Sequence, residues 1–210
     1  MTQIYNRRTI LKGSAVGTAA LLAGCLGDTD PGEETYYVVV YHWGFAAFDE
    51  EGTEHDLIEV SEGTELTLVA VNDHASDAFD ELPAPVETVL EEFDALARTK
   101  QLVEDGIIPE PEDATIEEVY QATHDHAHDN DDHHDDDPHD DNDHHNAELT
   151  MMDHELIIPG FDVHLQVLST AHEPVQTSFV TDEPGTFEFV CTHDCGYGHP
   201  YMRREMLRVS

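Results

Sequence analysis

Basic residues are scarce in this sequence: lysine and arginine together number 8 among 210 residues, against 47 aspartates and glutamates. Proteins that bind nucleic acid need a basic surface to pair with phosphates, so a nucleic-acid partner is excluded. Cysteine is also rare, with three residues, which is too few for the disulfide framework of a small secreted domain. The apolar stretch at 13–24 is about a dozen residues long and too short to span a bilayer.

The first 25 residues have the features of an export signal. Asn6-Arg7-Arg8-Thr9-Ile10-Leu11-Lys12 resembles a twin-arginine signal, and Leu22-Ala23-Gly24-Cys25 resembles a lipobox. We therefore expect export by the twin-arginine pathway, with Cys25 lipidated and anchored to the outer face of the cytoplasmic membrane. A short uncleaved membrane anchor is the alternative. Residues 26–35 are predicted to be a polar linker.

The charge of the exported part is extreme. Residues 1–27 hold three cations and no acid, so the remainder has five cations against 47 acids. Self-repulsion at this density strains a fold at low salt, and near-molar salt relieves it by shortening the Debye length to about 3 Å. Such a composition is typical of proteins from extreme halophiles. Docking of a basic redox partner and a purely solvating role are the alternative interpretations.

A set of metal-binding residue types lies near the C-terminus, in Cys191-Thr-His-Asp-Cys195-Gly-Tyr-Gly-His199-Pro-Tyr-Met202. Thiolates select copper, zinc or iron–sulfur centres over hard cations, and a thioether is a common weak ligand of copper but a poor one of zinc. The glycines and the proline indicate a compact loop in which these side chains can converge. The flanking runs at 185–190 and 204–209 predict strands.

The spacing Cys-x3-Cys-x3-His-x2-Met resembles that of the dinuclear copper A (CuA) centre of cytochrome c oxidase subunit II and nitrous oxide reductase. A second segment, Met151-Met-Asp-His154-Glu-Leu-Ile-Ile-Pro-Gly-Phe161, resembles that family's histidine, apolar strand, Pro and Gly-Phe. The resemblance covers roughly 36–73 and 151–210 and is closest to the short subunit II of B-type heme–copper oxidases. It implies an all-β fold, a cupredoxin Greek-key β-sandwich.

The resemblance also implies the ligands of two copper ions. The two cysteines of the loop would bridge the ions, and His154 and His199 would each bind one. Met202 would be a weak ligand of one ion, and the backbone carbonyl of His193 a weak ligand of the other. The imidazole of His193 is expected to face solvent. A mononuclear zinc site and a disulfide between the two cysteines are the alternatives.

Apolar and β-branched runs predict the strands of the sandwich. They lie at 36–41, 57–60, 65–71, 155–159, 163–168 and 175–181. Asp182-Glu-Pro-Gly185-Thr-Phe resembles the hairpin that precedes the cysteine strand in cupredoxins. We place Trp43 in the core, and interpret His42 and His55 as surface or core residues rather than ligands.

Residues 74–150 depart from the family pattern and are interpreted as an insertion, with helices within 84–121. Helical spacing predicts one helix over Ala84–Glu104 and another near Ala114–Gln121, either as a cap on the sandwich or as a docking surface. Residues 122–146 are predicted to be disordered because they hold no large apolar side chain. This tract is either a solvated loop or a weak metal-binding tract. Its histidines are His124, His126, His128, His133, His134, His139, His144 and His145.

The sequence thus predicts electron transfer by a dinuclear copper centre outside the cytoplasmic membrane, with no bond chemistry of its own. The expected donor is a cytochrome or a small blue-copper protein, and the expected acceptor is subunit I of a heme–copper oxidase. The chain would be an oxidase subunit or a free lipid-anchored carrier. The alternative is a copper delivery or storage lipoprotein. Arg203, Arg204 and Arg208 would offset the charge of the loop, contact a partner, or simply carry surface charge on an edge strand.

Overall fold

A computed structural model describes residues 32–128 and 151–210, with only the backbone for 125–128. The predicted signal with Arg7, Arg8 and Cys25, most of the linker, and the histidine tract beyond His128 lie outside the described residues. The described part has ten strands. They are β1 (Glu33–Tyr41), β2 (Gly44–Phe48), β3 (Glu54–His55), β4 (Ile58–Val60), β5 (Glu65–Asn72), β6 (His154–Ile158), β7 (Val163–Val167), β8 (Val175–Val180), β9 (Gly185–Val190) and β10 (Arg203–Val209).

The strands form two five-stranded sheets, one in the order β3-β2-β1-β5-β8 and the other in the order β4-β10-β9-β6-β7. Strand β1 runs parallel to β5, and β10 runs parallel to β4, whereas the other paired strands are antiparallel. The fold is therefore a cupredoxin-type Greek-key β-sandwich, as the sequence predicts.

The core fills the space between the sheets and continues onto the outer face of the first sheet. Between the sheets, the rings of Phe45 and Phe189 meet edge to face with centroids 6.1 Å apart. All five residues of β2 are buried. Because successive side chains of a strand point to opposite faces, this strand must be covered on both sides. The outer cover comes from the insertion, where the ring of Phe93 lies 5.3 Å from that of Tyr41.

Three α-helices make up this cover: α1 (Ala84–Glu91), α2 (Ala95–Glu104) and α3 (Ile116–His128). The single helix predicted over the first part of the insertion is divided, because Asp94 caps a new helix by accepting a hydrogen bond from the Ala97 amide at 2.9 Å. Helix α3 continues beyond its predicted end at Gln121, into the tract predicted to be disordered. Within residues 32–128 and 151–210, no helix has the length and apolar character needed to cross a membrane.

The two ends of the insertion meet at one point on the sandwich. The side-chain amide of Asn72, the last residue of β5, donates hydrogen bonds to the carbonyls of Met152 at 2.8 Å and Val167 at 3.2 Å. Asn72 and Met152 are 80 positions apart in sequence. This buried amide holds the end of the first half of the sandwich against the start of the second.

Three local predictions are wrong. Strand β1 begins at Glu33, inside the predicted linker. The segment between β8 and β9 is not a hairpin, because those strands lie in different sheets. Strand β10 lies between β4 and β9 rather than at an edge, and its arginines pair with acids of its neighbours and of the β3–β4 connection. The pairs are Arg203–Glu188, Arg204–Asp56 and Arg208–Glu59.

Candidate metal centre

Three strands of the second sheet bring the predicted ligands to one end of the sandwich. Strand β9 ends one residue before Cys191, and β10 begins one residue after Met202. Strand β6 begins at His154 and is antiparallel to β9, so its start lies beside the end of β9. The Cys191 amide donates to the Met202 carbonyl at 3.0 Å and closes the loop between β9 and β10.

The first loop cysteine lies between an imidazole and a backbone carbonyl. The Sγ atom of Cys191 is 4.0 Å from Nδ1 of His154 and 3.4 Å from the carbonyl oxygen of His193. One donor atom from each of His154, Cys191 and Cys195 lies within 4.8 Å of the others, and all three residues are buried. This group could hold a metal ion.

The second loop cysteine has a matching environment. The Sγ atom of Cys195 is 3.8 Å from Nδ1 of His199 and 3.7 Å from the thioether sulfur of Met202. Met202 is almost fully buried, whereas His199 is half-buried. Each thiol therefore has one imidazole nitrogen and one weak donor of its own.

Both loop cysteines are free thiols, so the described part of the chain offers no disulfide here. A hydrogen bond between the two thiols, supported by one from His154, lowers the pKa of Cys191 to about 4. The same contact and burial raise the pKa of Cys195. The pair therefore loses its first proton readily and holds the second, which leaves a buried thiolate at neutral pH, the form of cysteine that binds metals.

The donor set fits copper. Two thiols, two imidazoles and a thioether are soft or borderline donors, which favour copper or zinc over hard cations. The Nε2 atom of His154 is buried and has no hydrogen-bond partner among the described residues. The ring therefore makes its polar contact through Nδ1, which faces Sγ of Cys191. Zinc would use the same thiols and imidazoles, but it would gain little from the thioether of Met202.

Trp43 supports the loop from the first sheet, and sequence reasoning placed it only in the core. Its indole nitrogen donates to the carbonyl of Cys195 at 2.8 Å. Its backbone has a φ of 71°, which is uncommon for a residue with a side chain. The backbone of Gly198 packs against the ring so closely that a methyl group there would overlap it. The insertion also contributes, because the Tyr197 hydroxyl donates to the carbonyl of Pro109 at 3.1 Å.

The remaining histidines of the described residues differ in burial and in their partners. His55, His164 and His172 lie at the surface or partly buried, each within hydrogen-bond distance of a carboxylate. His42 is completely buried, and neither ring nitrogen has a hydrogen-bond partner among the described residues. Its ring lies 5.7 Å from that of His154 and 5.1 Å from that of His124. His193 is half-buried rather than fully solvent-facing.

The sequence matches no protein-family profile and no curated protein. Among solved structures, the chain is similar to one in a heme–copper terminal oxidase dimer, with 11% identity and a TM-score of 0.42, covering 93% of this chain and 76% of that one. It is also similar to the periplasmic domain of subunit II of cytochrome oxidase from Bradyrhizobium japonicum, with 10% identity and a TM-score of 0.41, covering 84% of this chain and 83% of that one. Because identity and TM-score are low, the fold assignment rests on the strand order of the two sheets.

Proposed function

We propose that this protein transfers single electrons through a dinuclear copper centre of the CuA type. The paired arrangement around the thiols carries this proposal. Each thiol has its own imidazole nitrogen within 4.0 Å and its own weak donor, the His193 carbonyl or the Met202 thioether. A mononuclear site needs only one such set. Two matched sets around two adjacent thiols suit two ions that share both sulfurs.

The residues of the loop would have distinct roles. Cys191 and Cys195 would bridge the two ions, and His154 and His199 would each complete one of them. When bound, two copper ions that share two thiolates can hold one electron between them. The protein's own contribution is to keep the donors in place and to exclude water. Cys195 is completely buried, and His154 is 1% exposed.

Burial and anchoring support a role in electron transfer rather than in substrate chemistry. The loop is fastened by the Cys191–Met202 backbone hydrogen bond on its own side and by the Trp43 indole on the other. A site for bond chemistry keeps an open coordination position for a substrate. Here the two thiols, His154, His199 and Met202 would hold the ions, and the group would supply electron transfer rather than bond chemistry.

The test is a visible and electron paramagnetic resonance spectrum of the copper-loaded protein at high salt. We expect a purple protein with a seven-line hyperfine pattern, because the electron is shared by two equivalent copper nuclei. Met202→Leu and His199→Gln should alter that pattern, whereas His172→Gln, at an exposed position between β7 and β8, should leave it unchanged. A four-line or absent signal would overturn the dinuclear proposal and favour a mononuclear copper or zinc site.

We further propose that the protein acts outside the cytoplasmic membrane, anchored through Cys25, with a cytochrome or a small blue-copper protein as donor and an oxidase subunit I as acceptor. The twin-arginine and lipobox motifs and the CuA-like spacing support this. Affinity purification from membranes would distinguish an oxidase subunit from a free lipid-anchored carrier, because heme-containing subunits co-purify with an oxidase subunit but not with a free carrier. Radiolabelled lipid on the wild type, and none on Cys25→Ser, would test the anchor.

A further inference from the structure

The buried ring of His154 makes its polar contact through one nitrogen only. Its Nδ1 atom lies 4.0 Å from Sγ of Cys191, which is the side on which an ion held by the thiols would bind. A ring nitrogen binds a metal through its lone pair, so the hydrogen of the metal-bound neutral ring is on Nε2. This Nε2 atom is buried and has no hydrogen-bond partner among the described residues. Once an ion is bound, His154 therefore has a buried donor that needs an acceptor.

Such a donor has a known role in metal sites. A histidine ligand almost always donates its second N–H to a carboxylate, a backbone carbonyl or a water molecule, which fixes the tautomer and makes the ligand nitrogen more basic. The two imidazoles of the thiolate centre differ in how they can meet this need. His199 is half-buried, so bulk solvent can accept its hydrogen bond. His154 is 1% exposed, so its acceptor must lie inside the protein.

The imidazole of His42 packs against that of His154. The ring centroids are 5.7 Å apart, and the planes meet at 68°. His42 is completely buried, and both of its nitrogens lack a hydrogen-bond partner among the described residues. Three nitrogens of two neighbouring rings are thus buried without a partner, although buried polar atoms are rarely left so without a reason. A link between the two rings would satisfy a nitrogen of each.

The ring of His42 is neutral and firmly held. Burial, and to a smaller extent the neighbouring imidazoles, lower its pKa to about 2, so one of its nitrogens keeps a lone pair that can accept a hydrogen bond. The carbonyl of the same residue accepts a hydrogen bond from the Thr99 hydroxyl at 2.9 Å. The ring itself lies 5.0 Å from that of Trp43 and 5.6 Å from that of Tyr120. The β1–β2 turn and helices α2 and α3 therefore fix an acceptor beside His154.

We propose that His42 is a positioning residue of the thiolate centre, and that it accepts, through one ordered water molecule, the hydrogen bond donated by Nε2 of His154. The two rings form no direct hydrogen bond. One water molecule spans about 5 Å between two polar atoms, since each of its hydrogen bonds is about 2.9 Å long. Buried water typically bonds about three polar groups that otherwise lack partners. The proposal deepens the proposed function, because it rests on His154 as a ligand of that centre.

The experiment compares replacements of His42 in the full-length chain. His42→Phe keeps an aromatic ring and removes both nitrogens, whereas His42→Asn and His42→Gln return an amide at two different depths. Thr99→Val is the matched control, because it removes the buried hydrogen bond to the His42 carbonyl and leaves the imidazole in place. Cobalt(II) is titrated into each protein and followed by the sulfur-to-metal absorption band. This band reports on the thiolate centre whether or not copper forms a dinuclear site there.

We expect His42→Phe to weaken cobalt binding by about 10- to 100-fold, the usual effect of removing an outer partner of a metal ligand. At least one of the two amide variants should recover most of that loss. Thr99→Val should bind cobalt as the wild type does, even though its unfolding midpoint falls. In the zinc-loaded protein, the hydrogen on Nε2 of His154 should resonate at lower field in the wild type than in His42→Phe, because hydrogen bonding deshields it.

His42→Phe exchanges a buried ring for an apolar one of similar shape, so the fold should persist, and the unfolding midpoint of the metal-free protein checks this. The proposal is overturned if His42→Phe binds cobalt as tightly as the wild type. It is also overturned if neither amide variant binds better than His42→Phe, since the shape of the ring would then decide the affinity. Failure of the proposed function looks different: the wild type would lack the seven-line copper spectrum, and the order of cobalt affinities would be unaffected.

Discussion

The indole nitrogen of Trp43 lies 2.8 Å from the carbonyl oxygen of Cys195 and donates a hydrogen bond to it. This contact joins the first sheet to the middle of the loop that carries the thiols. Both groups are buried, so each would be left unpaired if the other were removed. The position of the second thiol therefore depends on a residue of the opposite sheet.

Replacing Trp43 with Phe should lower the free energy of unfolding by about 2 kcal/mol, because a buried carbonyl loses its donor and the smaller ring leaves a cavity. Chemical denaturation of the metal-free protein measures this. Tyr197→Phe is the matched control, since it removes an exposed hydrogen bond to the Pro109 carbonyl and should cost less than about 1 kcal/mol. Equal losses in the two variants would contradict a special role for the indole.

Replacing Gly198 with Ala should disturb the same contact from the loop side. The added methyl group would overlap the Trp43 ring, and over-packing of this kind costs about 1–3 kcal/mol. The copper spectrum should broaden as well, because the loop must move to relieve the overlap. Gly32→Ala has no atom within 4 Å of the added methyl group and should change neither property. If Gly198→Ala behaved like Gly32→Ala, the packing argument would be wrong.

Replacing Met202 with Leu should raise the midpoint potential of the bound copper while changing stability by less than about 1.5 kcal/mol. The volume of the buried side chain is nearly conserved, but the copper loses a weak donor, and the more highly charged oxidised state depends on donated electron density more than the reduced state does. Redox titration measures the potential. Met206→Leu is the control: Met206 is as deeply buried as Met202 but belongs to β10 and not to the loop. A rise in both variants would indicate a packing effect rather than loss of a ligand.

Metal binding at the thiols should become tighter as pH rises. The pKa of Cys191 is lowered to about 4, so this group is already ionised at neutral pH. The pKa of Cys195 is raised, so an ion must displace its proton, and the apparent affinity should rise about tenfold per pH unit. Cobalt(II) titrations followed by the sulfur-to-metal absorption band isolate the thiol site from the histidines. A flat affinity over roughly pH 6 to 8 would contradict this, because no proton would then be released.

Stability should fall in alkaline solution because of Tyr41. Burial raises its pKa to about 12, and the positive charges of Arg98 and Arg204 oppose this only in part. The folded protein keeps this phenol neutral while the unfolded chain ionises near pH 10. The stabilising effect of the neutral Tyr41 phenol is therefore complete below about pH 10. Between that pH and about pH 12, the free energy of unfolding falls by about 1.4 kcal/mol per pH unit. Tyr41→Phe should reduce this slope but not abolish it, because burial also raises the pKa values of Tyr36, Tyr37 and Tyr120. Tyr201→Phe, at an exposed position, should leave the slope unchanged.

Most of the sandwich was predictable because its strands carry long apolar or β-branched runs. Strand β2 was not, because its five residues follow a turn in which Trp43, rather than glycine or asparagine, adopts a positive φ. Such a turn gives no sequence signal. The exchange of sheets between β8 and β9 was missed for a related reason: Asp182-Glu-Pro-Gly185 has the composition of a hairpin, and only the register of the neighbouring strands decides otherwise.

The clustering of five potential donor side chains at the thiol loop was predictable because these residues keep a recognisable spacing. The contacts that support the thiol loop were not predictable. Trp43 and Cys195 are 152 residues apart, and no local pattern links an aromatic residue to a carbonyl at that distance. His42 was interpreted as a surface or core residue, and it is in the core. Its closeness to both His124 and His154 depends on packing between three elements that meet only in the folded chain.

The Asn72 amide has a consequence for how this protein can vary. Because the two ends of the insertion lie close together at Asn72, a change in its length adds only a small entropic cost of loop closure and moves no strand. The sequence between helix α3 and β6 can therefore gain or lose residues over evolutionary time without altering the register of β6, β9 and β10. The earlier part of the insertion is less free to change, because Pro109 accepts a hydrogen bond from Tyr197 of the thiol loop.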